Sequence, residues 1–132
     1  MTITEAISLC DALRPNEYTR AEKLRWLTDI DGQLKRSVLD SHHRPGAEPD
    51  EPGSDPAPYT ESDITASTPL QVPDPYAAEL YRWYLTAQIA AADGETAEYN
   101  TAVSRYNAAL LNFMDSHNRR TAPRRAVKAF KI

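Results

Sequence analysis

At 132 residues, with 41% hydrophobic and 26% charged side chains, the chain is one domain, or one domain with a long insertion. Its single cysteine, Cys10, excludes an intrachain disulfide, and no apolar run reaches the roughly 20 residues that span a bilayer. The net charge of −4 is segregated: residues 41–75 carry seven acids and one base, and residues 119–132 carry six bases and no acid.

Thr2-Ile-Thr-Glu5 sets a hydroxyl three residues before a carboxylate, a capping box in which each side chain takes a free backbone N–H. A helix over about 3–13 follows, with Ile3, Ala6, Ile7, Cys10 and Leu13 on one side. It ends at Arg14, because the residue before Pro15 avoids the α region. There is no basic region followed by an apolar block, so no secretory signal is expected. Thr19-Arg-Ala-Glu22 is a second capping box. It opens a helix over about 20–40 whose stripe is Leu24, Leu27, Ile30 or Asp31, Leu34 and Val38. Trp26 sits beside that stripe, placed either to bury an edge or to face a partner. Gly32 lies inside the helix and costs about 1 kcal/mol relative to Ala. It marks either a close approach of another backbone or a weak point.

Periodicity then disappears. Eight of the ten prolines fall between Pro45 and Pro75, and the run HHRPGAEPDEPGSDPAPYTESD has too few apolar side chains to offset its ordering entropy. Residues 41–73 therefore read as a long acidic loop. Ile64 to Val72 within it favours an extended segment, which Pro69 restricts to an edge. Asp74-Pro75 reads as an N-cap followed by proline at the first helical position. The third helix, about 75–92, is apolar almost all round, so it is buried on more than one side. In a domain this small, another subunit is expected to supply the extra cover. Gly94 stops the helix. A fourth helix over about 95–117 repeats Tyr99, Val103, Tyr106, Leu110, Phe113 and His117 at spacings suited to an antiparallel hairpin with the third. Tyr-Asn occurs at 99–100 and again at 106–107. Residues 119–132 form either an extended basic arm or a short extra helix after Pro123.

The chemistry-bearing residues do not assemble into a catalytic or metal-binding pattern. His42, His43 and His117 lack ligand spacing and read as solvated histidines. Asp29 and Asp31 sit two apart on a helix and do not face each other, which favours solvated or inter-subunit charge over acid–base work. There is no phosphate-cradling glycine loop. Trp83, Tyr81, Tyr84, Tyr99 and Tyr106 are spaced for a nucleic-acid stacking platform, but an aromatic stripe at helical spacing is more often core or interface. The basic tail suits either DNA phosphates or an acidic protein surface, such as the acidic loop of a neighbouring copy.

Several stretches together resemble a known family. They are TEAISLCDALRPNEYT, KLRWLTDIDGQL and VPDPYAAELYRWYLTAQIAAADGETAEYNTAVSRYNAAL. They cover most of residues 2–118 and include the Leu-Arg-Pro-Asn-x-Tyr turn at 13–18, Trp26-Leu27 with Asp31-Gly32, the Pro-x-Pro-Tyr opening at 73–76 and the Tyr-Asn repeat. The chain is similar to small prophage and tailed-phage proteins encoded near the capsid gene, the head–tail connectors or adaptors. The resemblance implies a virion protein of the neck, made in the host bacterial cytoplasm. It also implies a homo-oligomeric ring, often a dodecamer, that docks under the portal protein, extends the DNA channel and receives the next neck or tail protein. DNA would pass through without sequence-specific binding. The Pro- and acid-rich stretch 45–58 and the basic tail after Asn118 lie outside the resemblance.

The expectation is therefore an all-α, single-domain bundle over 1–132, built on a central antiparallel helical hairpin, with no cofactor, no metal, no membrane contact and no enzymatic activity. Helices one and two should pack across the hairpin. Candidate interface residues are Trp26, Trp83, Tyr84, Tyr99 and Tyr106, with Arg119, Arg120, Arg124, Arg125, Lys128, Phe130 and Lys131 of the arm. The rival readings are another neck component, such as a stopper or tail-completion protein, a small nucleic-acid-binding regulator, or a small enzyme.

Overall fold

A computed structural model describes residues 1–39 and 58–120. Among them there is no strand. The helices are α1 (Ile3–Leu13), α2 (Arg20–Leu34), α3 (Glu61–Thr65), α4 (Asp74–Asp93) and α5 (Thr96–Arg120), and the protein is an all-α bundle. α2 runs on through a π-turn, Lys35–Leu39, where Ser37 Oγ donates to the Gln33 carbonyl (2.7 Å), a back-bond that loosens a helical turn.

Local chemistry sets most of the boundaries. At α1, the Glu5 N–H donates to Thr2 Oγ1 (3.2 Å) and the Thr2 N–H donates to Glu5 Oε1 (2.9 Å), completing the expected capping box. The Thr2 N–H also holds the exposed Glu5 carboxyl below its ordinary pKa. At α2 only half of the expected box forms: the Glu22 N–H donates to Thr19 Oγ1 (3.2 Å). A third cap, absent from the sequence reading, opens α3, where Thr60 N–H donates to Asp63 Oδ2 (2.8 Å). α4 starts one residue earlier than expected, with Pro73 as cap, Asp74 as the first helical residue and Pro75 inside the first turn. Its end is the expected one: Gly94 adopts φ +76°, and the Glu95 N–H reaches back to the Ala90 carbonyl (2.9 Å), closing the turn.

α4 is the centre of the bundle. It packs against α5 along one side and against α1 and α2 along others, burying Ala77, Leu80, Tyr81, Leu85, Ala87, Ile89 and Ala90. Ile3, Ala6 and Cys10 of α1, Leu24, Leu27, Ile30 and Leu34 of α2, and Phe113 of α5 complete the core. The central hairpin is thus present, with the N-terminal helices packed on its first arm. The expectation that a second subunit must cover α4 is corrected: α1, α2 and α5 of the same chain do so. The hairpin seam is partly as read. Phe113 is buried, with Tyr76 at 6.1 Å and His117 at 5.7 Å between ring centroids. Near the turn, however, Ala102 is buried while Tyr99 is 38% exposed. A wide residue one turn into α5 would splay the two helices where the short turn brings them closest.

The expected loop 41–73 is also corrected from residue 58 onward. Residues 58–73 form a built strap. It begins at Tyr59, turns through α3, and carries Leu70 and Val72 into the core. The extended segment expected over 64–72 shrinks to one antiparallel bridge, Thr2 with Pro69, and the Leu70 N–H donates to the Met1 carbonyl (2.9 Å). Finally, α5 continues through Arg119 and Arg120, so these two residues belong to the helix and not to an arm. Residues 121–132 lie outside the described residues.

Candidate functional site

Two places hold more chemistry than packing alone requires. The first is the end of the bundle that carries the α4–α5 turn. Here the residues after α1 fold into a tight polar joint. Asn16 Nδ2 donates to the Arg14 carbonyl and to Asp11 Oδ1 (both 3.0 Å), and its own Oδ1 accepts the Tyr18 N–H (3.1 Å). That turn aims two groups at the hairpin. The Arg14 guanidinium takes Glu98, Glu95 (2.9 Å) and Asp93 (3.4 Å), and its pKa rises through the Glu95 hydrogen bond first. Tyr18 Oη donates to Asp93 (2.5 Å), while its ring stands edge-on to Trp26 at 5.6 Å. Behind the joint, Lys23 is only 3% exposed and donates to Asp11 (2.8 Å).

Trp26 is thereby settled. It is buried against Tyr18 and the core, so of its two expected placements it takes the one that buries an edge of its own chain. Tyr84 and Tyr106 are half-buried and face each other across α4 and α5 at 5.6 Å. Burial pushes both hydroxyls up to about 12. Tyr81 is fully buried. Tyr81, Tyr84 and Tyr106 are therefore core and inter-helix packing, which leaves only Trp83 and Tyr99 of the aromatic set partly open among the described residues. Trp83 differs. It is half-buried, its Nε1 donates to Glu79 (2.8 Å), and the guanidinium carbons of Arg82 and Arg105 lie 4.2 and 5.2 Å from its ring centroid. Leu13, 51% exposed, lines an open groove with Trp83, Arg82 and Glu98. Tyr99 is exposed nearer the turn. Arg119 is exposed on the last turn of α5, beside Asp115 (3.4 Å). Arg124, Arg125, Lys128, Phe130 and Lys131 lie outside the described residues, as do His42 and His43. Among the described residues no cluster of His, Cys, Asp or Glu could hold a metal ion, and no helix is long and apolar enough to cross a membrane.

The second place was missed by sequence reasoning. Asp31, read as a solvated or inter-subunit charge, is 1% exposed. Its Oδ1 accepts Tyr81 Oη (2.5 Å), and its Oδ2 accepts the Gln71 N–H (3.0 Å) and Tyr59 Oη. Tyr81 Oη in turn accepts the Val72 N–H (3.0 Å). Burial pushes the Asp31 carboxyl up, against the pull of those three donors. Burial and the adjacent carboxylate push both tyrosines far above the ordinary phenol range. All of the donors belong to the chain's own fold, so the arrangement is a clamp: one carboxylate on α2 holds both ends of the strap and the centre of α4. The signal was present in the stripe, where a carboxylate shares the spacing of Leu24, Leu27 and Leu34. Its partners lie 28 to 50 residues away, beyond any local pattern.

Cys10 is buried in the core, and burial raises its thiol, which makes it a small apolar filler with little thiolate character. No family model, curated protein or solved structure matches this chain.

Proposed function

We propose that this chain is a structural protein of a tailed-phage neck, a head–tail connector or adaptor. In this reading it assembles as a ring under the portal protein, extends the DNA channel and presents a surface to the next neck or tail component. The resemblance over residues 2–118 carries the reading. One observation supports its relevance: the resembling stretches are joints of the bundle. Leu13–Tyr18 ties the α1–α2 connection to the α4–α5 turn. Trp26, Leu27 and Asp31 anchor α2. Pro73 caps α4. Stretches placed at the joints specify a framework whose exterior is left to do the work, as an assembly protein requires.

Charge adds to this. The described end at the α4–α5 turn is acidic, while the sequence past α5 carries only bases, so copies in head-to-tail order would meet with opposite signs. The role is structural, without catalysis. A DNA-binding regulator is the weaker reading, because the aromatic side chains are engaged in packing and the net charge of −4 opposes duplex binding.

The test is co-expression of the tagged chain with the portal protein of the same genome. Co-purification is expected, with an added ring below the portal in electron micrographs, and the chain should appear among the proteins of purified particles. Absence from particles together with failure to bind portal rings sinks the reading.

A further inference from the structure

Where α4 and α5 run side by side past the end of α1 lies an open groove of about 360 Å³, lined by Leu13, Trp83, Thr86, Ala97 and Thr101 among others. Helical spacing builds it. Glu79, Trp83 and Thr86 share one face of α4, and Ala97, Thr101 and Arg105 share one face of α5. The small side chains of Ala97 and Thr101 leave room beside the Trp83 indole, and the exposed Leu13 adds an aliphatic side.

The charges around the indole are unevenly answered. Trp83 Nε1 donates to Glu79 (2.8 Å), which fixes the ring. The guanidinium carbons of Arg82 and Arg105 lie 4.2 and 5.2 Å from its centroid, within range of the attraction between a cation and an aromatic face. A guanidinium held this way keeps N–H donors at its edge, in a rigid fork that matches a carboxylate. Arg82 reaches Glu79 (3.4 Å). Arg105 is exposed, and among the described residues no carboxylate pairs with it. The acids that border the groove are already engaged, Glu79 by the indole and Arg82, Glu98 by Arg14. The unanswered charge beside Trp83 is therefore positive, and its donors are held in place before any ligand arrives, which lowers the entropy lost on binding.

An occupant that fits brings one anionic group next to an apolar one. A polyanion fits less well. Glu98 stands seven residues before Arg105 on α5, about 10 Å along the axis, and Asp93 and Glu95 gather with it around Arg14. A strand of phosphates laid along the groove would meet these acids, and a single carboxylate at Arg105 would not. We propose that the groove docks a short acidic segment of another protein. Its Asp or Glu carboxylate is taken by Arg105 and Arg82, and a neighbouring aliphatic or aromatic side chain rests on Leu13 and Ala97. Tryptophan and arginine are the residue types that concentrate binding energy at such contacts. The contact is independent of the connector reading, which the portal experiment tests separately, so either can fail alone.

The probe is a library of short random peptides selected on the immobilised full-length chain, with enriched peptides then synthesised and titrated against the indole N–H resonances. Enrichment of an acid within a few positions of Leu, Ile or Phe is expected. Binding should shift the Trp83 indole signal and leave that of the buried Trp26 in place. Arg105→Glu should weaken binding about tenfold or more, Leu13→Asp should weaken it too, and Arg105→Lys, which keeps the charge without the fork, should restore only part of the affinity lost in Arg105→Glu. Leu13 and Arg105 are exposed, so circular dichroism should show unchanged helix content in every variant. Three outcomes overturn the proposal. One is a selection that enriches no acidic peptide. Another is peptide binding that survives Arg105→Glu, which would place it on the basic tail. The third is an oligothymidylate that shifts the Trp83 signal with the same dependence on Arg105 while the peptides do not, which would make the groove a nucleic-acid site.

Discussion

Removing the Asp31 carboxylate leaves the Tyr59 and Tyr81 hydroxyls and the Gln71 N–H without an acceptor. An unsatisfied buried group costs about 1–3 kcal/mol, so Asp31→Ala should lose at least about 3 kcal/mol in a urea melt. Tyr59→Phe, which leaves the other two donors in place, should lose less, about 1.5–3 kcal/mol for one bond to a charged acceptor. The carboxyl also gives stability a pH dependence of unusual sign. Its folded pKa is raised, so between the ordinary carboxylate pKa and the raised one the folded state holds a proton that the unfolded chain has released. The Asp31 contribution is therefore full below the ordinary pKa and falls as pH rises through the window, by at most about 1.4 kcal/mol per pH unit. Glu5, whose pKa is lowered, works in the opposite sense and loses its contribution as pH falls. Comparing wild type with Asp31→Asn between about pH 4 and 7 isolates the first effect. Wild type should lose ground to the variant as pH rises.

At the scale of the element, the two glycines inside and after helices separate cleanly. Among the described residues a Cβ on Gly32 would meet only the tip of the Arg36 side chain, at an ordinary 3.5 Å, so none of their backbone approaches there and the residue reads as the weak point of α2. Gly32→Ala should stabilise by about 1 kcal/mol. Gly94 sits at φ +76° with open space around it. Gly94→Ala should destabilise by about 1–2 kcal/mol through backbone strain alone. Thermal melts of the pair, with opposite signs expected, check both. Helix starts and stops were legible in the sequence because they depend on residues within three or four positions: Thr2 with Glu5, Arg14 before Pro15, Gly94 after α4. The strap was not legible. Its residues 58–73 are polar and proline-rich, and what orders them comes from elsewhere: the Thr28 hydroxyl, the Asp31 carboxylate, the Met1 carbonyl and the Tyr81 hydroxyl. Composition records only that such a stretch cannot order itself.

At the scale of the molecule, the closure of α4 by its own chain moves the question of assembly to the surface. The buried residues of α4 are covered by α1, α2 and α5, so the monomer is expected to hold its helices without a partner. Far-UV helix content should persist on dilution below the concentrations at which copies associate. Loss of helix on dilution would mean that the core is shared between subunits after all. The sequence made the excess visible but not its destination, because a helix wrapped by three others and a helix at a subunit boundary share one hydropathy pattern. Of the candidate interface residues that are described, Trp26 went inward, Tyr84 and Tyr106 went to each other, and Trp83 kept an open side. Nothing in spacing alone separates those fates.

The clamp at Tyr59 has one more consequence. Its N–H donates to Thr28 Oγ1 (3.0 Å), and Pro58 lines a hollow with Gly32 and Arg36, close to the π-turn that ends at Leu39. The two described ends, Leu39 and Pro58, thus stand near one another on the bundle. Closing a flexible connection between two fixed points costs only about 0.6 kcal/mol more for each doubling of its length. Deleting half of residues 41–56 should therefore change the unfolding free energy in a urea melt by less than about 1 kcal/mol, and a larger loss would show that the stretch packs on the bundle.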